Sequence, residues 1–124
     1  MAKIRINLSL KSNEETISKD CLGLYQGNKI TYLDDKINVT LLLDDNRIKM
    51  NRNTEDYIIE MIFSLGATTQ GVYIVKSHKI KMDLTVKTNI LEINDNKICI
   101  EYELKLNGTE MGRFNYEIIY EVIQ

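Results

Sequence analysis

A strict alternation of apolar and polar residues is the feature that most constrains the fold of this chain. From Ile80 to Val86 every second residue is apolar, with Lys, Asp and Thr between. Because successive side chains of a β-strand point to opposite faces, this pattern places the apolar side chains on one face. The pattern recurs in 98–106 and 114–122. Each segment therefore has one dry and one wet side, which is typical of an antiparallel sheet that covers a core.

The same alternation extends toward the N-terminus and predicts about ten strands joined by short polar turns. Gly23, in the middle of the second strand, indicates a bend or the close approach of another backbone. A twisted antiparallel sheet of this many strands must either close or split into two layers. Closure removes exposed edges, so we expect an all-β fold in which residues 1–124 form a single antiparallel β-barrel of about eight to ten strands.

The apolar faces of the last three strands fix how these strands pair. A three-residue loop at 107–109 keeps dry faces together, whereas a two-residue loop mixes dry and wet positions. An extra residue at Ile90-Leu91, where the alternation breaks, predicts a β-bulge. The expected cross-strand pairs are Tyr102 with Phe114, Ile100 with Tyr116, Ile98 with Ile118, Val86 with Leu104 and Leu84 with Leu106.

The segment from Thr54 to Leu65 allows two structures. Thr54 is a suitable helix cap, and apolar residues follow it at helical spacing. The stretch from Tyr57 onward also alternates with a period of two and is rich in β-branched and aromatic residues. The prediction is a strand, with the helix as the open alternative. We expect polar connections at 51–55 and 66–71.

Charge and composition exclude several classes of partner. The net charge is −2, and basic and acidic residues are interleaved rather than clustered. This distribution argues against nucleic-acid binding, which needs a basic patch. No run approaches the ~20 apolar residues of a membrane span, and the N-terminus lacks the apolar core of a signal peptide. We therefore expect a cytoplasmic protein without a membrane partner, with Cys21 and Cys99 as reduced thiols.

Few residues of this sequence could act in catalysis or bind a metal ion or cofactor. His78 is the sole histidine, has no nucleophile at a recognisable spacing, and is expected to be a solvated turn residue. Neither cysteine belongs to a Cys-x-x-Cys pair, so no metal site is predicted. The chain also lacks a glycine-rich phosphate loop, so we predict no cofactor, no catalytic residue and no enzymatic activity. The paired carboxylates are expected at solvated turns: Glu14-Glu15, Asp34-Asp35, Asp44-Asp45 and Glu55-Asp56.

Aromatic and methionine side chains fall on the faces that a barrel turns inward. They could form a packed core, or they could line a cavity, because an eight-stranded barrel is just wide enough to be filled or to hold one small ligand. Buried tyrosine hydroxyls can supply the few polar groups that orient a ligand in an apolar pocket. The candidate ligand-binding residues are Phe63, Tyr73, Met82, Tyr102, Phe114 and Tyr116.

Several segments together resemble the YwiB-like family of small bacterial proteins of unknown function. The resemblance rests on 61–66, 71–73, 84–88, 100–104 and 116–118. It implies a barrel similar to the calycin or lipocalin fold and supplies no catalytic residues. The predicted function is a noncatalytic cytoplasmic barrel that binds a small apolar or amphipathic ligand. The alternative is an interaction module that self-associates as a homodimer or docks a protein partner, and an enzyme ranks third.

Overall fold

The computed structural model describes residues 1–13 and 15–123, and this part of the chain is built from strands and turns alone. The all-β prediction is confirmed. No described residue belongs to a helix long and apolar enough to cross a membrane. The strands are β1 (Ala2–Ser12), β2 (Glu15–Gln26), β3 (Lys29–Asp34), β4 (Ile37–Asp44), β5 (Arg47–Asn53), β6 (Tyr57–Ser64), β7 (Thr68–Val75), β8 (Ile80–Ile93), β9 (Lys97–Leu106) and β10 (Thr109–Val122).

The ten strands close into one antiparallel barrel. Each strand pairs with its neighbours in the chain, and β10 completes the circle by pairing with β1, where Ile6 lies opposite Tyr120. Short turns suffice because consecutive strands run in opposite directions. Closure leaves no unpaired edge, as the alternation predicted.

The predicted pairing of the last strands is confirmed, but the predicted three-residue loop is wrong. Phe114 lies opposite Tyr102 through a two-residue turn at Asn107 and Gly108, followed by a register shift between Glu110 and Gly112. Asn107 and Gly108 both have positive φ, +48° and +82°, which suits a tight hairpin turn. The extra residue therefore lies in β10 as a bulge rather than in the loop, and both arrangements give the same register beyond it.

The predicted bulge in β8 is confirmed one residue earlier than expected. The register shifts between Thr88 and Ile90, so Asn89 is the extra residue. Val86 then lies opposite Leu104, as predicted. Asn89 donates a hydrogen bond from Nδ2 to Oε2 of Glu103 at 3.0 Å. The bulge keeps Leu91 on the inward face that Val86 and Thr88 occupy before the break.

The segment from Thr54 to Leu65 contains strand β6, so the strand prediction is confirmed and the helical alternative is wrong. Thr54 caps a turn instead, because its Oγ1 accepts the N–H groups of Asp56 and Tyr57 at 3.1 and 3.0 Å. The predicted connections at 51–55 and 66–71 are too long. β5 continues to Asn53 and β7 starts at Thr68, since polar residues can pair their backbones with a neighbouring strand as well as apolar ones.

The core fills the middle of the barrel with buried side chains from nine of the ten strands, and β7 adds the half-buried Tyr73. Ile4, Ile48, Phe63 and Ile100 are completely buried. Gly23 lies where a Cβ atom would be 2.5 Å from a backbone oxygen of β3, which confirms the predicted close approach of another backbone. Close packing of this kind leaves little free space at the centre of the barrel.

Candidate functional site: the open end of the barrel

Burial decreases along the strands toward one end of the barrel. On β9, Ile100 is buried, Tyr102 is 6% exposed, and Leu104 and Leu106 are half-buried. The same change occurs on the neighbouring strand, where Phe114 is half-buried. We call this end the mouth and define it by its half-buried, inward-facing residues: Leu10, Ile37, Arg52, Ile59, Tyr73, Met82, Leu104, Leu106 and Phe114.

The six residues predicted to bind a ligand divide between the core and the mouth. Three of them form the floor beneath the mouth, and three belong to the mouth itself. Tyr102 links the two groups, because its ring lies 4.8 Å from that of Phe63 and 5.4 Å from that of Phe114, measured between centroids. The floor residues are Phe63, Tyr102 and Tyr116, and the mouth residues are Tyr73, Met82 and Phe114.

Tyr73 and Met82 lie on β7 and β8, the two strands that follow β9 around the barrel. They are directly opposite each other on β7 and β8. The ring of Tyr73 stacks on that of Tyr57, with centroids 5.5 Å apart and planes 23° apart. The structure therefore brings the predicted residues to one end of the barrel, although Tyr73 and Met82 are separate from the aromatic stack around Tyr102.

A hydrogen-bonded tyrosine pair forms part of the floor. The hydroxyls of Tyr32 and Tyr116 are 2.6 Å apart, and both residues are buried. Burial raises the pKa of Tyr32 to about 12 and raises the pKa of Tyr116 well above its ordinary value. Burial likewise raises the pKa of Tyr102 to about 12. All three hydroxyls are thus neutral at pH 7 and can donate hydrogen bonds.

Arg52 brings a positive charge to the mouth. It is in phase with the buried residues Ile48 and Met50 on β5, and its neighbours across the sheet are Val39 and Ile59. Within the described chain, its guanidinium makes neither an ion pair within 4.0 Å nor a hydrogen bond. Its charge partly offsets the burial effect on the pKa of the three floor tyrosines.

Sequence reasoning missed Arg52 and Tyr32. Arg52 fell in a segment predicted to be a connection, although it continues the alternation of Ile48 and Met50. Tyr32 is likewise two residues after the apolar Ile30. The signal that could have found both is a polar or charged group at an inward position of an alternating strand.

Asp34 corrects the prediction that all paired carboxylates are solvated. It faces inward at the end of β3 and is 6% exposed. Lys19 donates hydrogen bonds from Nζ to Asp34 at 2.8 Å and to Asp35 at 3.2 Å, and these bonds raise the pKa of Lys19. The ammonium group offsets the cost of burying the Asp34 carboxylate. The remaining described members of the pairs are exposed, and Glu14 lies outside the described residues.

The other candidate groups do not form a reactive cluster. His78 is exposed in the turn before β8, as predicted, with Nδ1 2.8 Å from Ser77 Oγ. Cys21 and Cys99 are free thiols, and burial raises the pKa of each. Among the residues that the structure describes, no three His, Cys, Asp or Glu side chains are placed to hold a metal ion.

A cleft of about 770 Å³ lies at the other end of the barrel. Its walls include Tyr25, Leu43 and Leu91 together with polar residues of the turns after β2 and β4. None of the six predicted ligand-binding residues lines it. This cleft therefore lies among the turns at the end of the barrel away from the mouth, which we call the closed end.

A family model for a domain of unknown function, DUF1934, matches residues 3–118. The chain belongs to the DUF1934 family. A crystal structure of the YwiB protein from Bacillus subtilis is similar to this DUF1934 chain, with a TM-score of 0.64 and 15% sequence identity. The match covers 98% of this chain and 91% of the Bacillus subtilis chain. A comparison with curated proteins gives no match.

These comparisons confirm the resemblance to the YwiB-like family and the barrel fold. At 15% identity the structural likeness extends to the fold alone. The relation to calycins and lipocalins stays a prediction. The description of the DUF1934 family carries no activity or ligand, so the functional argument depends on the residues of the mouth.

Proposed function

We propose that this protein is a noncatalytic cytoplasmic barrel that binds a small apolar or amphipathic molecule at its mouth. One observation carries the proposal. Inward-facing apolar side chains remain half-buried around the mouth, above a floor that is almost completely buried. Covering apolar surface is worth about 25 cal/mol per Å² removed from water, and concave apolar sites with a few polar groups are typical of ligand pockets.

The packed centre of the barrel favours the mouth over the interior as the position of the proposed ligand. Phe63, Ile100 and Ile118 are fully buried, and a core packed to normal density has no room for a ligand. We therefore assign ligand contact to Tyr73, Met82 and Phe114. The other three predicted residues support the floor.

The positions of the groups that could react support the noncatalytic part of the proposal. His78 and its hydrogen-bond partner Ser77 lie in an exposed turn, where water competes with a substrate for hydrogen bonds to both side chains. The two thiols have raised pKa values, so they are weak nucleophiles at neutral pH. Among the described residues, no three His, Cys, Asp or Glu side chains are grouped so that they could hold a metal ion.

A binding assay with a neutral apolar dye tests this proposal. Nile red fluorescence should rise when the dye binds the wild-type protein. Met82→Lys, which places a charge among the apolar residues of the mouth, should weaken the rise. Leu65→Lys makes the same change of charge at an exposed position in the turn after β6, and it should bind the dye as wild type does.

Two results would contradict the mouth as the binding site. One is the absence of dye binding together with the absence of a bound small molecule in native mass spectra of freshly purified protein. The other is an equal loss of binding in Met82→Lys and Leu65→Lys. Thermal unfolding of each variant should establish beforehand that the protein is folded.

A second candidate function, self-association, is favoured by an apolar patch on the outer wall. Leu22 and Leu24 point outward from β2 and are 65% and 38% exposed, and Leu33 of β3 is 54% exposed. Exposed apolar patches on barrels often mark contacts with another protein. Light scattering should show a dimer that Leu22→Glu dissociates, whereas a monomer at high concentration would exclude this candidate.

A further inference from the structure

The floor of the mouth is rich in hydrogen-bond donors. Tyr102 is 6% exposed, and its hydroxyl makes no hydrogen bond with any described residue. In the described chain, every fully buried side-chain oxygen has a partner, so this hydroxyl must still reach open space. Because Tyr102 faces inward, that space lies inside the mouth. Nearly all tyrosine hydroxyls in such surroundings have a partner, which makes this one available to a ligand.

The buried pair formed by Tyr32 and Tyr116 keeps one O–H without an acceptor. One hydroxyl donates to the oxygen of the other across 2.6 Å, so one O–H of the pair remains free to donate. No described residue accepts that proton. Burial keeps both groups neutral at physiological pH, so neither hydroxyl becomes an acceptor-only phenolate.

Arg52 adds a permanent charge beside these hydroxyls. A guanidinium carries five N–H donors and cannot accept a hydrogen bond. Asp34, the buried carboxylate of this end, is already paired with Lys19 at 2.8 Å. The charge of Arg52 therefore has no acidic partner among residues 1–13 and 15–123, and it lies in surroundings that strengthen electrostatic attraction.

We infer that the mouth recognises the carboxylate of an amphipathic acid. Arg52 pairs with the two carboxylate oxygens, and Tyr102 and the free hydroxyl of the tyrosine pair donate to the same group. The apolar part of the molecule lies on Met82, Tyr73 and Phe114. This inference rests on the proposed function and adds the chemical class of the ligand.

The chemistry of the floor separates this class from the alternatives. A cationic head group would be repelled by the charge of Arg52, and the buried carboxylate of this end, Asp34, is already paired with Lys19. A neutral alcohol carries no negative charge to pair with the guanidinium. A carboxylate supplies two acceptor oxygens and a full negative charge, and its geometry matches the planar fork of arginine.

Three probes of matched structure test the inference, with dodecanoate used below its critical micelle concentration and dodecanol below its solubility limit in water. Dodecanoate carries the acid and the chain, dodecanol carries the chain alone, and acetate carries the acid alone. Isothermal titration calorimetry should show dodecanoate binding about tenfold to a hundredfold more tightly than dodecanol, as expected for charge-assisted hydrogen bonds. Acetate should bind more weakly than either, because it cannot cover the apolar residues of the mouth.

Matched variants then locate the head group. Arg52→Gln should lower the affinity for dodecanoate by about tenfold or more and leave the affinity for dodecanol unchanged. Arg47→Gln removes the same charge from an exposed position of the same strand, and it should bind all probes as wild type does. Tyr102→Phe keeps the aromatic stack and removes only the hydroxyl. This variant should also lower the affinity for dodecanoate without lowering the affinity for dodecanol. It provides the test if Arg52→Gln does not fold.

The outcomes distinguish this inference from the function on which it rests. If dodecanol and dodecanoate bind equally well and Arg52→Gln changes neither, the carboxylate assignment is wrong while the apolar site stands. If none of the three probes binds the folded wild-type protein, the proposed function fails together with this inference. If Arg47→Gln weakens dodecanoate as much as Arg52→Gln does, the attraction comes from overall charge and not from the mouth.

Discussion

Removing one hydroxyl of the Tyr32 and Tyr116 pair should destabilise the barrel more than removing both. The two oxygens are 2.6 Å apart, and the residues are 4% and 2% exposed. Tyr116→Phe leaves the Tyr32 hydroxyl buried without its partner. An unpaired buried polar group costs about 1–3 kcal/mol, whereas replacing both partners with apolar groups of the same shape is close to neutral.

The measurement is a double-mutant cycle by urea denaturation followed by far-ultraviolet circular dichroism. We expect each single phenylalanine variant to lower the free energy of unfolding by about 1–3 kcal/mol, and the double variant to lower it by less than either single variant. Tyr102→Phe is the control, because the hydroxyl that it removes has no described partner. It should change the free energy of unfolding by no more than about 0.5 kcal/mol.

Additive losses in the cycle would refute this reasoning. They would mean that each hydroxyl makes its own separate interaction. A large loss in Tyr102→Phe would show that its hydroxyl is partnered in solution, and this result would also remove one donor from the proposed carboxylate site.

Three further predictions follow from other parts of the barrel. Burial raises the pKa of Tyr32 and Tyr102 from 10.0 to about 12, so the folded state retains protons that the unfolded chain loses. The contribution of these two tyrosines to the free energy of unfolding is therefore fully present below pH 10. It falls by about 1 kcal/mol per pH unit for each tyrosine as the pH rises to about 12. A flat urea midpoint across this range would contradict the assignment. Gly23→Ala should cost about 1–3 kcal/mol, because the new Cβ would lie 2.5 Å from a backbone oxygen of β3, and an unchanged thermal midpoint would rule out this contact. Lys19→Met should lower the urea midpoint by leaving the Asp34 carboxylate buried without its partner, while Lys19→Arg should retain most of the stability in the same urea assay. Equal losses in the two Lys19 variants would show that the side-chain shape matters more than the charge.

The strands were predictable because their signal is local. Alternation over a few residues decides which side chains share a face, and a one-residue error in register would expose them all. The pairing of Tyr102 with Phe114 follows from this constraint. The position of the extra residue does not follow from this constraint, because a longer loop and a bulge near Gly112 give the same register. The structure has the bulge because Asn107 and Gly108 both adopt the positive φ angles of a two-residue turn.

The site was less predictable because it depends on distant parts of the chain. Sequence reasoning found six side chains of the mouth and its floor, yet it could not tell which end of each strand stays open. Asp34 was assigned to a solvated turn, and only the approach of Lys19 from the neighbouring strand accounts for its burial. Arg52 was missed because the length of β5 is set by pairing with β4 and β6 and not by its own composition.

The central claim is that the mouth binds an amphipathic acid, and a crystal structure of the protein with dodecanoate tests it most directly. We expect the carboxylate at a hydrogen-bond distance of about 2.7–2.9 Å from the guanidinium of Arg52, with the chain against Met82 and Phe114. Dodecanoate in the cleft around Tyr25 at the closed end, or on the outer wall at Leu22, would contradict the claim.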